Sequence, residues 1–577
     1  MEDPKIAQTW AEANTRSTAF AEKYRGHVST LSPADMLVAL KDLEAMSQEM
    51  SKPGNYASLL FSADSNDPKI AAFMQEQQLK ASEIRVRLMF FDLELQAADK
   101  ATADAWMASS ELSNYHHAIQ VTRQMTPFML SEKEEIIMEE MANTGSRAWT
   151  RYFEEVTAKQ VYHYTAPGTT ESMEKTEEEV LNMLRSADRE VRAAAATSFT
   201  NGLKDMEHAI VFVYNMLLLD KSVEDRLRSH ADPEESRHLS NELDKETVDK
   251  VVNACRSGYP VVARYYNTKK KLLGLPELTH IDRYAPIFES DEEMSYEDAR
   301  DLILTSFGEF HPTLRERCAE FFEKNWIDAE PRKGKGSGAF CSGITPDLHP
   351  VILMSYLNKA KDVGTLAHEL GHGVHYSLSR KQSLYNYHAT LPLAELASIF
   401  AEMVVFEKQI ASASVRDQVA MYADKIEGMF ASVFRQIAMF CFERRAHAAR
   451  KEGELDQEQL GQMWHDELQA MFGDAVALGE DHKRWWSYVW HFYGVPFYVY
   501  AYAFGELLTL GLYEKAKQEG APFAEKYVAL LELGGSTTPH ELMATVGVDL
   551  RSQEFWEGGI KIIERFVGRF EELVAQL

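Results

Sequence analysis

The run GTLAHELGHGVHY, from Gly364 to Tyr376, places His368, Glu369 and His372 within one short stretch of otherwise ordinary helical sequence. Residues four apart lie on one face of an α-helix, so His368 and His372 can both direct a ring nitrogen at the same cation. Glu369 is rotated by about 100° from His368, which puts its carboxylate beside such an ion. The run therefore predicts a metal-binding helix with a carboxylate beside the metal.

Gly371 stands between the two histidines, although glycine costs a helix interior about 1 kcal/mol relative to alanine. We therefore expect a close approach to the helix backbone at Gly371. A catalytic zinc ion takes three protein ligands and keeps one position for water. His368 and His372 supply two of these ligands, so a third must come from elsewhere in the chain.

The candidates for the third ligand, or for a place beside it, are His375, His388, Glu395 and Glu402. His375 lies about 10.5 Å along the helix from His368, too far for both rings to reach one ion, so we predict that it lies behind the ligands or in the core. Glu395 opens a second helical run, LAELASIFAEMVVFEKQI, and is the predicted third ligand.

Glu402 and His388 are predicted neighbours of the metal. Glu402 follows Glu395 by seven residues, nearly on the same helical face, where it could accept a hydrogen bond from a ligand imidazole. A solvated helix carboxylate is the alternative for both Glu395 and Glu402. His388 lies in the loop before Glu395 and could contact a substrate near the metal, although a loop histidine is often simply exposed.

Length and charge limit the classes of protein to consider. A chain of 577 residues exceeds the usual size of one compact domain, so we expect two lobes, an N-terminal helical lobe at 1–190 and a catalytic domain at 191–577. The formal charge of −28 argues against nucleic acid or an anionic membrane as a partner. No signal-peptide pattern or membrane-length apolar run is evident, so we expect a cytoplasmic protein.

Helical spacing of apolar residues fills most of the chain and predicts a mainly α protein. Ser131 and Glu134 form a predicted capping box that starts one helix, and Asn143 with Gly145 marks its end. The exception is the glycine-rich segment PRKGKGSGAFCSG (331–343), followed by the strand-like run HPVILMSYL (349–357). These two segments predict a loop and a small β-sheet beside the metal helix, with an edge on which an extended peptide could lie. A flexible surface loop is the alternative for the glycine-rich segment.

Three motifs together resemble the oligoendopeptidase F branch of the thimet oligopeptidase family of zinc metallopeptidases. They are HELGHGVH (368–375), LPLAELASIFAEM (391–403) and HFYGVPFYVYAYAFG (491–505). The resemblance extends to LSEKEEIIMEEMANTGSRAW (130–149), KKKLLGLPELTHIDRYAPI (269–287), RKGKGSGAFCSG (332–343) and GGSTTPHELMATVGVDL (534–550). It therefore covers most of the chain beyond about residue 115.

The resemblance implies a two-lobed helical fold with a deep central channel, one Zn²⁺ ion per chain on its floor, and short peptides as substrates. Carried over by position, His368 and His372 match the histidine ligands, Glu395 matches the glutamate ligand and Glu369 matches the general base. The chemistry agrees with this assignment, because a carboxylate beside zinc can take a proton from an attacking water and return it to the leaving amine.

The motif at 491–505 supplies candidates for stabilising the oxyanion of a tetrahedral intermediate. Pro496 suits the first turn of a helix, and a helix starting there would put Tyr498 and Tyr502 on one face. The family has a histidine and tyrosines in this region as hydrogen-bond donors, and the matching positions are His491, Tyr498 and Tyr502. The spacing differs from the thimet-type pattern, which leaves the choice among the three open.

Three functions are compatible with these residues. The first is a zinc endopeptidase acting on oligopeptides. A dipeptidyl carboxypeptidase or other exopeptidase would use the same chemistry with a charged clamp for one peptide terminus. A peptide-binding protein without turnover is the third, although binding alone gives no chemical need for Glu369. Residue preference, biological substrate and oligomeric state are not predicted.

Overall fold

The structure is a computed structural model that describes residues 1–288, 293–336 and 338–577. Helices make up most of it, as predicted. Ser337, in the predicted glycine-rich loop, lies outside the described residues. The α-helices, in chain order, are α1 (Pro4–Tyr24), α2 (Pro33–Ala63), α3 (Pro68–Leu88), α4 (Phe90–Ala97), α5 (Lys100–Ala108), α6 (His116–Gln124), α7 (Glu132–Ala142), α8 (Ser146–Lys159), α9 (Glu177–Met183), α10 (Arg189–Arg228), α11 (Glu235–Ser240), α12 (Lys245–Ser257), α13 (Tyr259–Leu272), α14 (Tyr296–Phe310), α15 (Pro312–Glu323), α16 (Ala360–Ser379), α17 (Leu391–Ala394), α18 (Leu396–Ser412), α19 (Val415–Met429), α20 (Gln436–Arg450), α21 (Gln457–Phe472), α22 (His491–Gly494), α23 (Tyr500–Glu519), α24 (Ala521–Glu532), α25 (Pro539–Ala544) and α26 (Gln553–Val574).

Strands and short helical turns complete the described secondary structure. The strands are β1 (Tyr162–Thr165), β2 (Ser172–Lys175), β3 (Ile327–Asp328), β4 (Phe340–Ser342) and β5 (Val351–Leu353). Turns of 3₁₀-helix cover Val28–Thr30, Ser110–Tyr115, Thr126–Phe128, His280–Asp282, Leu384–Asn386 and Glu480–Arg484, and a π-helical turn covers Phe430–Arg435. No described helix is long and apolar enough to cross a membrane.

The chain folds as two compact units, each assembled from three segments. The first unit contains Met1–Pro127, Asp291–Ala411 and Leu512–Asp549, and the second contains Phe128–Ser290, Ser412–Gly511 and Leu550–Leu577. The division into 1–190 and 191–577 follows chain order and stays a prediction, as does the central channel.

In the first unit, a small sheet lies beside α16, as predicted. Its order is β3-β5-β4, with β5 parallel to β3 and antiparallel to β4. Both β4 and β5 pack against α16. Because β4 pairs with β5 on one side within the described sheet, its other side is an edge. A separate apolar core holds α1 to α6 together around large side chains that include Trp10, Phe20, Phe91 and Trp106.

In the second unit, α10 runs for 40 residues and packs against α8, α9, α20 and the β1-β2 hairpin. The capping box at the start of α7 forms as predicted: the Ser131 side chain accepts from the Glu134 N–H, and the Glu134 side chain accepts from the Ser131 N–H. The helix then ends at Ala142 with Asn143 as its cap, also as predicted.

Candidate active site

The predicted metal ligands lie in the first unit, on one helix and at the junction of two others. His368 and His372 lie on α16, and Glu395 lies at the junction of α17 and α18. The close approach expected at Gly371 is present, because a Cβ atom added there would lie 2.5 Å from the Ala397 carbonyl oxygen and 2.6 Å from the Ser398 Cα. The absent side chain therefore lets the two helix backbones touch beside the ligands.

The three candidate ligand atoms form a nearly equilateral triangle. The His368 and His372 Nε2 atoms are 3.2 Å apart, and they lie 3.3 and 3.4 Å from Glu395 Oε2. A point equidistant from three atoms about 3.3 Å apart lies about 1.9 Å from each in their plane, since that distance is the edge divided by √3. Zinc bonds to imidazole nitrogen and carboxylate oxygen are about 2.0–2.2 Å long, so the donor set fits a zinc ion.

Glu402 lies directly behind the first ligand. Its Oε1 atom is 2.6 Å from Nδ1 of His368, the ring nitrogen that does not face the triangle. Burial alone would lower the pKa of His368, but Glu395 and Glu402 raise it to about 10. The carboxylates therefore favour positive charge at this position, and the Glu402 contact fixes the ring with Nε2 directed at the triangle.

Glu369 lies beside the triangle and is only 6% exposed. Burial raises the pKa of its carboxyl group, and the positive charge of the neighbouring histidines and a hydrogen bond from the Cys341 N–H lower it. Cys341 belongs to β4, so the small sheet holds the carboxylate from one side. The segment RKGKGSGAFCSG was recognisable in sequence, but this main-chain role of Cys341 was not predicted.

His375 and His388 lie apart from the ligand triangle. His375 is 7% exposed, and burial lowers its pKa to about 4, so it is a neutral core histidine near neutral pH. His388 is exposed, and its ring lies 5.4 Å from that of Tyr376, one helical turn beyond His372. The loop of His388 is held from behind at Gly535, where an added Cβ would lie 2.2 Å from the His388 carbonyl oxygen.

The second unit carries the aromatic cluster, defined as His491, Tyr498 and Tyr502. The His491 Nε2 and Tyr502 Oη atoms lie 3.2 Å apart, within hydrogen-bond distance. The Tyr498 ring lies 5.7 Å from the His491 ring and 5.4 Å from the Tyr502 ring, measured between centroids. The three side chains are thus brought together within this unit.

The predicted helix start at Pro496 is wrong. The chain makes a turn there, and α23 begins at Tyr500, so Tyr498 precedes the helix. Phe497 has a φ of 57°, a left-handed conformation that a helix cannot contain and that a bulky residue rarely adopts. The Phe497 N–H donates to Oε1 of the buried Glu443 at 2.9 Å. No sequence pattern around Glu443 predicted this hydrogen bond.

Comparison with known proteins identifies related chains. A family model described as Peptidase family M3 matches residues 182–562, and one described as Oligopeptidase F matches residues 94–160. Oligopeptidase PepF of Bacillus subtilis is 28% identical over 475 residues, covering 82% of this chain and 71% of that protein. An oligoendopeptidase F homolog of Lactococcus lactis is 26% identical over 564 residues, covering 95% and 92% of the two chains.

A solved structure shares the fold. The crystal structure of oligoendopeptidase-F from Enterococcus faecium superposes with a TM-score of 0.76 and 20% sequence identity. The likeness covers 100% of both chains. It extends the match beyond the metal-binding helix to both units of the fold.

Proposed function

This chain belongs to peptidase family M3 and is a zinc oligoendopeptidase, and we propose that His368, His372 and Glu395 hold one zinc ion while Glu369 acts as the base. The observation that carries the assignment is the triangle of two imidazole nitrogens and one carboxylate oxygen, whose edges of 3.2–3.4 Å suit zinc. When bound, zinc acts as a Lewis acid that lowers the pKa of water to about 7 and polarises a peptide carbonyl.

Glu369 moves the proton in this proposal. Its carboxylate takes a proton from the water that attacks the scissile carbonyl and then gives it to the departing amine, so one residue serves as base and then as acid. The Cys341 N–H holds the carboxylate on the β4 side during both transfers. Glu402 keeps the His368 ring turned so that Nε2 stays available as a ligand.

The aromatic cluster is proposed to donate hydrogen bonds to the developing oxyanion. A phenol and an imidazole are both effective donors of this kind, and the contact between His491 Nε2 and Tyr502 Oη pre-orients the two groups. His388, exposed in its loop, is proposed to contact the substrate, and His375 to support α16 from the core.

The proposed substrates are short unstructured peptides cut at internal bonds. An extended peptide can pair with the open edge of β4 by main-chain hydrogen bonds, which select for unfolded chains rather than for particular side chains. The four cysteines are free, which suits a reducing compartment, and we propose the cytoplasm as the site of action.

The deciding experiment is mass spectrometry of an equimolar ladder of peptides, from a few residues to a small folded protein, incubated with the chain with and without a zinc chelator. Internal cuts confined to the short members and abolished by the chelator are expected. Stepwise release of dipeptides from one end would favour the exopeptidase instead. Absence of cleavage by zinc-loaded protein would leave a peptide-binding protein.

The ligand assignment has its own test in the metal content of two variants. Glu395→Ala removes a proposed ligand and should release most of the zinc on dialysis. Glu402→Ala removes only the support behind His368 and should weaken zinc affinity about 10-fold to 100-fold. Plasma mass spectrometry of the dialysed proteins measures both effects. Unchanged zinc in Glu395→Ala would require His388 or Glu402 as the third ligand.

A further inference from the structure

A second site is suggested by a pocket in the second unit that takes no part in the proposed metal site. It has a volume of about 440 Å³, within the range of small-molecule sites. The segment 269–287, which was recognised in sequence but has no part in the metal site, contributes Arg283 and Tyr284 to it. Glu177, Glu178, Arg185, Arg435, Trp485 and Tyr488 also line it.

Three guanidinium groups surround one tyrosine in this arginine pocket, as we call it. Arg435 donates from Nη1 to the Tyr284 hydroxyl at 2.6 Å. The guanidinium carbons of Arg283 and Arg185 lie 4.5 and 4.9 Å from the Tyr284 ring centroid. Burial raises the pKa of Tyr284, but the three arginines lower it to about 8. Positive charge is therefore concentrated here in a chain whose net charge is −28.

These arginines differ from two others of the same unit that pair with carboxylates. Arg192 pairs with Asp282 and Arg444 pairs with Glu234, at 2.9 and 2.7 Å. None of Arg185, Arg283 and Arg435 forms an ion pair with a carboxylate within residues 1–288, 293–336 and 338–577. Neither glutamate of the pocket lining pairs with these arginines. Glu177 accepts from the Tyr162 hydroxyl at 3.1 Å, and Glu178 is exposed.

The unused donors are buried. Arg283 is only 5% exposed, and the Nε atoms of Arg283 and Arg435 have no hydrogen-bond partner among the residues that the structure describes. Burying a charged donor without a partner is costly, and like charges brought together add to that cost. An anion held in the pocket would offset the repulsion among the guanidinium charges, and the planar forks of arginine match a carboxylate.

The pocket also adjoins a proposed catalytic side chain. Tyr488, in its wall, stands three residues before His491 in the chain. Burial lowers the pKa of His491, and the positive charge of Arg435 lowers it further, so the guanidinium and the imidazole are electrostatic neighbours. A ligand in the pocket would therefore lie near the aromatic cluster of the same unit.

We propose that the arginine pocket binds the C-terminal carboxylate of a peptide, with Arg283 and Arg435 as its main donors and Arg185 at its mouth. The inference rests on the proposed function, because it assumes that the ligand is a peptide. A single carboxylate suits the pocket better than a dianion, since Glu177 and Glu178 also line it. Tyr488, half-buried in the pocket wall, offers aromatic surface to the last side chain of the peptide.

The test measures binding rather than turnover, so it does not depend on the catalytic assignment. The full chain carrying Glu369→Gln is titrated by calorimetry with two peptides of one sequence, one ending in a free carboxylate and the other in an amide. The free acid should bind at least about tenfold more tightly, because charged hydrogen bonds are strong. Adding Arg283→Gln should remove this preference and leave the affinity for the amide unchanged.

Two further variants guard the interpretation. Arg185→Gln changes an exposed side chain that cannot disturb the core and should reduce the preference by a smaller factor. Arg226→Gln removes an exposed arginine elsewhere in the unit and should leave the preference intact. Equal binding of acid and amide, or a preference that survives both Arg283→Gln and Arg185→Gln, would overturn the proposal.

The source of the carboxylate is checked with a third peptide, an amide whose last residue is glutamate. It should bind like the plain amide, and recovery of the full affinity would overturn the assignment to the chain terminus. The failure of the proposed function would look different, since it would appear as absence of cleavage in the peptide ladder while the acid still bound more tightly than the amide.

Discussion

The ligand triangle of the first unit and the aromatic cluster of the second are built in opposite ways. His368 and His372 project from a regular helix, and a glycine that admits a second backbone fixes their distance to Glu395. Tyr498 instead follows Phe497, which has a left-handed conformation in a turn. The Phe497 N–H donates to the buried carboxyl group of Glu443. Regular helix geometry positions the metal ligands, whereas long-range contacts position the donors.

The largest effect should come from the group that converts metal binding into chemistry. Glu369→Gln keeps the size and the hydrogen-bond acceptor but cannot take a proton, so kcat should fall at least about 10³-fold while zinc is retained. Peptide hydrolysis and metal content, measured on the same preparation, check both parts. Full activity in the zinc-loaded variant would refute the role of Glu369 as base.

The second region is tested by removing one hydroxyl. Tyr502→Phe should lower kcat about 10²-fold with little change in KM, because a lost oxyanion donor weakens transition-state binding more than substrate binding. Tyr500→Phe is the matched control: its hydroxyl accepts from Asn241 at 2.8 Å in the core, so its loss should lower stability and spare kcat. Equal losses of kcat in both variants would mean that Tyr502 acts through packing alone.

The contrast also explains which features could be predicted from the sequence. The spacing of His368 and His372, the glycine at 371 and the capping box at Ser131 are local patterns, and the structure has the predicted helices and close approach at these places. The turn at Pro496 was missed because local sequence favours a helix there, while Glu443, 54 residues away, holds the Phe497 N–H.

The arginine pocket shows the same limit more strongly. Arg185, Arg283 and Arg435 are separated by about 100 residues or more, and none stands in a recognisable anion-binding motif. The two units are likewise each assembled from three distant segments, which composition and periodicity do not reveal. Residue roles at the metal, in contrast, could be proposed from sequence because one helix supplies most of them.

A smaller effect is expected from adding a side chain at Gly371, where the backbones of two helices touch beside the ligand triangle. Gly371→Ala places a Cβ against the backbone of α18 and should lower the free energy of unfolding by about 3 kcal/mol and weaken zinc binding. Gly364→Ala, on the same helix, meets nothing within 4 Å and should be neutral or stabilising by about 0.5–1 kcal/mol. Urea unfolding of the two variants gives the comparison, and equal stabilities would exclude the tight contact.

The smallest effect concerns the support beneath the turn of the second region. Burial raises the pKa of Glu443 to about 8, against the lowering influence of the Phe497 N–H and the Arg237 charge. Between its ordinary pKa of 4.5 and about 8, the folded chain keeps a proton that the unfolded chain has lost. Stability therefore falls over this pH window, because the unfolded state binds fewer protons.

Glu443→Gln retains an acceptor for the Phe497 N–H but cannot ionise, so this loss of stability should disappear. Relative to the unmodified chain, the variant should gain nothing near pH 4.5 and at least about 1 kcal/mol by pH 8. Calorimetric melting of Glu443→Gln and of the unmodified chain at several pH values measures the difference. Parallel pH profiles for Glu443→Gln and the unmodified chain would mean that the carboxyl group is already ionised in the folded protein, and that the turn is held by a charge.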